Sequence, residues 1–132
     1  MSASAALRRD APRLVSDFLD DLQEPRTPYI SPERFARRSG LSQGALARLA
    51  GVHRNTVRLN PASEALQNRM REAIKIITSA AELTGDIEKA LYWFRNEPIA
   101  DYRGKTAAEL VAEGHTEAVL AYLDDLKNGA TG

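Results

Sequence analysis

"LARLAGVHRNTVRLNP", residues 46–61, decides the fold. Leu46, Leu49, Val52 and Val57 are apolar anchors at the spacing of two short packed helices. Gly51 sits between the two runs, where a tight turn needs a residue tolerant of positive φ. Pro61 stops the second run. Ala47 is small, which lets two helices come close. Two short helices at a steep angle, joined this way, form a helix-turn-helix. The pattern starts the second helix at His53 and turns His53, Arg54, Asn55, Thr56 and Arg58 outward. Those types suit the major groove. Arginine pairs bidentately with guanine, asparagine with adenine, and threonine meets a thymine methyl or a phosphate. Gln43 and Arg48, on the preceding helix, are expected beside the phosphate backbone. Modules of this kind bind as dimers on two half-sites.

The charge distribution agrees with that reading. The 132-residue chain is formally neutral. Yet residues 31–60 hold six arginines (34, 37, 38, 48, 54 and 58) against one acid, Glu33. Residues 61–132 hold eight Lys/Arg against twelve Asp/Glu. A basic segment followed by an acidic one predicts two different partners, the first carrying phosphate.

Outward from the motif, every periodic segment is helical, and the chain reads as all-α: a helical bundle containing the helix-turn-helix, with a small helical domain after it. A helix is predicted over 12–23, with Leu14, Phe18 and Leu22 on one face. "EPRTPYISP" follows as a linker. Ser31-Pro32 supplies an N-cap and a first-turn proline for a helix at 32–39. Ser42 caps the next helix, at 43–50. Asn60-Pro61 ends the helix at 53–59 and is read as the start of a long helix to residue 84, with Leu66, Met70, Ala73, Ile74, Ile77 and Ala81 as its stripe. Asp86 caps a helix through Phe94. After the loop "NEPIADYRGK", Thr106 and Glu109 form a capping box that opens a short helix to Glu113. A last helix, 116–127, turns Val119, Tyr122, Leu123 and Leu126 inward, and residues 124–132 read as a mobile tail. The organisation expected is an N-terminal helix and linker at 1–30 available for dimerisation, a helix-turn-helix domain at 31–84, and a C-terminal domain at 85–132.

Two stretches carry family resemblances. Residues 32–60, around "LSQGALARLAGVHRNTVRL", resemble the Xre/Cro-type repressors, although Gly44 replaces the usual acidic or polar residue and Pro61 clips the recognition helix. Residues 90–129, "ALYWFRNEPIADYRGKTAAELVAEGHTEAVLAYLDDLKNG", are similar to the toxin-binding domain of the Xre/MbcA/ParS antitoxin family. Trp93, Asn96, Pro98, "GKTAAELV" and the terminal amphipathic helix carry that similarity. Ala107 and Val111 stand where the family often has proline and leucine.

The resemblance implies an antitoxin of a type II toxin–antitoxin pair. Its cognate toxin would be a RES-domain protein that consumes NAD or transfers ADP-ribose. The antitoxin would cover the NAD cleft, form a hetero-oligomeric complex built on a homodimer, and repress its own operon by binding operator DNA. The contacts expected with the toxin are Trp93, Asn96, Tyr102, Arg103, Lys105, Tyr122, Asp125, Lys127, Asn128 and Gly129. Trp93 and Tyr102 offer large contact areas at low entropic cost. Core packing is the competing reading for Trp93, and a frayed terminus is the competing reading for the tail.

Other chemistry finds no residues. The chain has no cysteine, His53 and His115 lie in no metal-ligand spacing, and no phosphate loop or dinucleotide fingerprint occurs. No cofactor, metal or enzymatic activity is expected. No apolar run of membrane length and no apolar leader segment occurs, so a bacterial cytoplasmic location is expected. Two alternatives stay open. One is a DNA-binding regulator whose C-terminal part only dimerises or senses. The other is an antitoxin whose helix-turn-helix no longer touches DNA.

Overall fold

A computed structural model describes residues 15–129. Among them there are eight α-helices and one 3-10 turn, with no strand beyond two isolated bridges, Gln23 to Ile30 and Ile99 to Lys105. The helices are α1 (15–22), α2 (Pro32–Ser39), α3 (Gln43–Ala50), α4 (Arg54–Leu59), α5 (Glu64–Thr84), α6 (Ile87–Asn96), α7 (Ala107–Ala112) and α8 (Thr116–Lys127). The all-α expectation holds. The start predicted for the first helix at Pro12, Leu14 of its apolar face, and tail residues 130–132 lie outside the described residues.

α5 is the axis of the molecule. Its apolar positions spread beyond the predicted stripe, so Ile76 and Ala80 are buried along with Leu66, Met70, Ala73 and Ile77. A helix apolar over so much of its circumference belongs in the middle. Accordingly α3, α6, α7 and α8 all pack on α5. One core cluster runs from Phe18 on α1 through Phe35, Leu46, Met70 and Phe94 to Leu123 on α8. α2 packs on α6 and α3 on α7, so the basic and acidic parts of the chain share this core. On the α1 side, the Arg38 guanidinium lies 5.4 Å from the Phe18 ring centroid, a cation–π geometry.

α2 and α3 end in the same way. Gly40 (φ 71°) and Gly51 (φ 67°) are left-handed. The next N–H, of Leu41 or Val52, bonds back to Ala36 (2.9 Å) or Ala47 (3.0 Å). This closes the last helical turn and satisfies carbonyls that the helix leaves open. Gly51 stands at the turn the sequence predicts, and Gly40 repeats its geometry. Their surroundings differ. A Cβ at Gly51 would meet nothing within 4 Å, whereas one at Gly40 would overlap the Arg95 guanidinium, which donates to the Gly40 carbonyl.

Several boundaries and one face differ from the sequence expectation: α6 runs on to Asn96 rather than ending at Phe94, and α7 ends at Ala112 with Glu113 as its C-cap. Asn60 caps the end of α4, its N–H reaching the Thr56 carbonyl, and α5 starts only at Glu64. Ser63 opens α5 instead, its hydroxyl accepting from the Leu66 N–H. His53 is the N-cap of α4 and not its first residue. Its Nδ1 accepts from the Asn55 N–H at 3.0 Å. Asp124–Lys127, read both as the end of the last helix and as the start of a mobile tail, form the final turn of α8 as the helix reading requires, and Asn128 is its C-cap. Leu126 is exposed rather than inward. The buried face of α8 runs through Thr116, Val119 and Leu123, and one turn further along it comes to Lys127. Lys127 Nζ donates to Ser79 Oγ and Glu82 Oε2 of α5, both at 2.7 Å. The lysine stem therefore takes the place nearest α5, and Leu126 is turned toward water.

Candidate functional site

Two surfaces gather the expected site residues. The first is α4 with the end of α3. Val57 is buried and anchors α4, which fixes the outward direction of its neighbours. Arg54, Asn55 and Arg58 are exposed, Thr56 is half-buried, and His53 and Gln43 are exposed. Arg54 and Arg58 stand one turn apart, as do Asn55 and Leu59. No Asp or Glu occurs from residue 34 to residue 63. Arg54 and Arg58 make no ion pair among the described residues. Arg48 is placed differently. It lines a groove between α3 and α7 of about 440 Å³, together with Arg95, Glu109 and Glu113.

The carriage of α4 depends on Gln67, a residue the sequence reading passed over. It is only 3% exposed. Its Oε1 accepts from the Ile30 N–H at 3.0 Å, and its Nε2 donates to the carbonyls of Ile30 and Pro61, both at 2.8 Å. One buried amide thus ties α5 to the segment before α2 and to the exit of α4. Its spacing on α5 looked like any polar position next to the apolar stripe. Only the loops closing over it reveal the role.

The second surface surrounds the loop between α6 and α7. This loop is ordered by its backbone. Ile99 is buried, its N–H reaches the Lys105 carbonyl at 2.9 Å, and Gly104 N–H returns to the Ile99 carbonyl at 3.0 Å. Residues 100–102 make a 3-10 turn. Arg103 (φ 59°) and Gly104 (φ 77°) then reverse the chain in left-handed conformation. For arginine this is an uncommon region. The capping box of Thr106 and Glu109 is present as the sequence predicts.

Tyr102, Arg103 and Lys105 line a concavity of about 330 Å³, with His115 and Glu113 across from them. The Tyr102 hydroxyl donates to the Ala118 carbonyl at 3.3 Å, and its ring meets Tyr122 edge-on with centroids 6.4 Å apart. Lys105 is paired with Glu113 at 2.6 Å. Trp93 is half-buried against the core, while its neighbour Tyr92 is 58% exposed. Asn96, the last residue of α6, is exposed, as are Asp125, Asn128 and Gly129 around the end of α8. The expected toxin contacts therefore include one cluster, Tyr102, Arg103, Lys105 and Tyr122. Lys127 is engaged with α5. Tyr92, next to the tryptophan expected at the interface, is the more available aromatic.

Among the described residues no group of His, Cys, Asp and Glu could hold a metal ion, and no helix is long and apolar enough to cross a membrane. Residues 79–129 match a family described as the antitoxin Xre/MbcA/ParS C-terminal toxin-binding domain. That match begins in the last turns of α5 and covers the ordered loop, the concavity and all of α8. No curated protein and no solved structure matches the chain.

Proposed function

We propose that this chain, whose residues 79–129 match the toxin-binding domain of the Xre/MbcA/ParS antitoxin family, neutralises a cognate RES-domain toxin by covering the toxin's NAD cleft. α3 and α4 bind operator DNA and regulate the chain's own operon. Residues 1–30 support assembly of a homodimer within the hetero-oligomeric complex. The observation that carries the toxin reading is the extent of the family match, which takes in the loop of Tyr102, Arg103 and Lys105. The acid-free stretch from residue 34 to 63 supports the DNA reading over a helix-turn-helix kept only as scaffold.

The test is co-expression with a RES-domain protein encoded beside this chain. The expected result is a complex that survives purification and in which NAD is no longer consumed. Failure to capture that protein would overturn the toxin reading. A point variant locates the contact. Arg103→Gly relieves the left-handed backbone strain, so its thermal midpoint equals or exceeds the wild type's. It also removes an exposed cation from the proposed surface, so capture weakens. Unchanged capture places the interface elsewhere. Removing residues 116–132 is not a clean alternative, because Val119 and Leu123 belong to the core.

A further inference from the structure

Leu59 is 71% exposed, more than any other large apolar side chain among the described residues. It lies outside the hydrophobic core cluster. It is not at a frayed end either. Asn60 caps α4 immediately after it, and the Pro61 carbonyl is held by buried Gln67. Helical spacing puts Leu59 one turn from Asn55 and beside Arg58 on the outer face of α4. An isobutyl group is thus held rigidly in water on a basic surface without a carboxylate from residue 34 to residue 63.

We propose that Leu59 is a specificity-determining residue that contacts a thymine C5-methyl group in the major groove. The inference rests on the DNA-binding reading of α4 given above and deepens it. The major groove is strongly polar, and the thymine methyl is the apolar feature its base edges present. A leucine has no hydrogen bond to offer a base edge. Its discrimination has to come from excluding water between two methyl-bearing surfaces. Arg54, Arg58 and Asn55 bring phosphates and base edges close by hydrogen bonding, and Leu59 then selects at a position those side chains do not read. A basic surround favours a polyanion over an apolar protein partner, which would leave the arginines desolvated and unpaired.

The experiment uses the full chain and a duplex that the wild-type protein selects from a random pool. That duplex is made in two forms, one with thymidine and one with deoxyuridine, which lacks only the methyl. The wild type is expected to bind the deoxyuridine form about 3- to 10-fold more weakly. Leu59→Ala is expected to bind the two forms equally, near the wild type's affinity for the deoxyuridine form, with an unchanged thermal midpoint. Two results overturn the proposal while leaving DNA binding in place: a wild type indifferent to the methyl, or a Leu59→Ala variant that keeps the wild-type ratio. A changed oligomeric state or weakened toxin capture in Leu59→Ala, with the ratio kept, identifies a protein contact and also overturns it. If the wild type selects no duplex at low salt, the DNA reading itself fails and this inference goes with it.

Discussion

The α4 surface and the loop between α6 and α7 both display cations, but they use them differently. Arg54 and Arg58 are exposed on α4, and the chain around them holds no acid. In the C-terminal part the cations are mostly committed. Lys105 is bound to Glu113, Lys127 to Ser79 and Glu82, and Arg69 to the Val111 carbonyl and Glu72. Arg95 crosses to the Gly40 carbonyl. The contrast shows how charge divides between recognition and construction. Unneutralised positive charge on α4 is what the proposed binding of a polyanion requires, because each internal carboxylate would subtract from the attraction. A small helical unit with short elements instead uses long cationic side chains to tie the ends of its helices together.

The comparison can be broken from either side. The largest effect is expected for Arg54→Ala combined with Arg58→Ala. Each loss costs about 1–3 kcal/mol in affinity for a selected duplex. The slope of log K against log salt should fall by about 1 for each phosphate contact removed. Unchanged salt dependence would mean that the free cations of α4 face something other than DNA. Next comes Leu123→Ala, which empties a fully packed position on α8. About 2–5 kcal/mol of stability is expected to go, read by urea unfolding. A small loss would mean that α8 is an appendage and not part of the shared core. Gly40→Ala and Gly51→Ala form a matched pair. Both force alanine into left-handed backbone at a cost of about 1 kcal/mol. Gly40→Ala must also displace Arg95 and is expected to be the worse of the two, by unfolding midpoint. Equal losses would show that the Arg95 strut contributes nothing. The smallest effect belongs to Lys105→Met. Its ion pair with Glu113 is about two-fifths exposed, so only about 0.2–1 kcal/mol of stability is expected to be lost. A larger drop in toxin capture than in stability would return Lys105 to the interface.

Much of this was legible in the chain itself. The turn at Gly51, the N-caps at Ser31, Ser42 and Asp86, and the capping box at Thr106 are local devices. Each is set by a few neighbouring residues, and each stands where the sequence puts it. Of the anchors, Leu46, Leu49 and Val57 are buried as their spacing requires, while Val52 is only half-buried against the core. Misreadings came where one residue could serve two elements. Asn60 could close one helix or open the next, and Leu126 could follow the apolar stripe or yield to Lys127. Sequence periodicity weighs such choices one helix at a time. The outcome depends on the neighbouring element.

The sequence by itself determined the all-α class, the order of the helices, the outward face of α4 and the resemblance of the C-terminal segment. These follow from 3.6-residue periodicity, capping chemistry and motif spacing, all of short range. The tertiary structure alone decided which charges are spent inside the molecule and which are left for partners. It also placed Gln67 at the junction of three segments, set Arg95 over Gly40, and left Leu59 and Tyr92 in water. The reason is distance along the chain. Gln67 lies 37 residues from Ile30, and Arg95 lies 55 from Gly40. No local rule connects such pairs until the helices have packed.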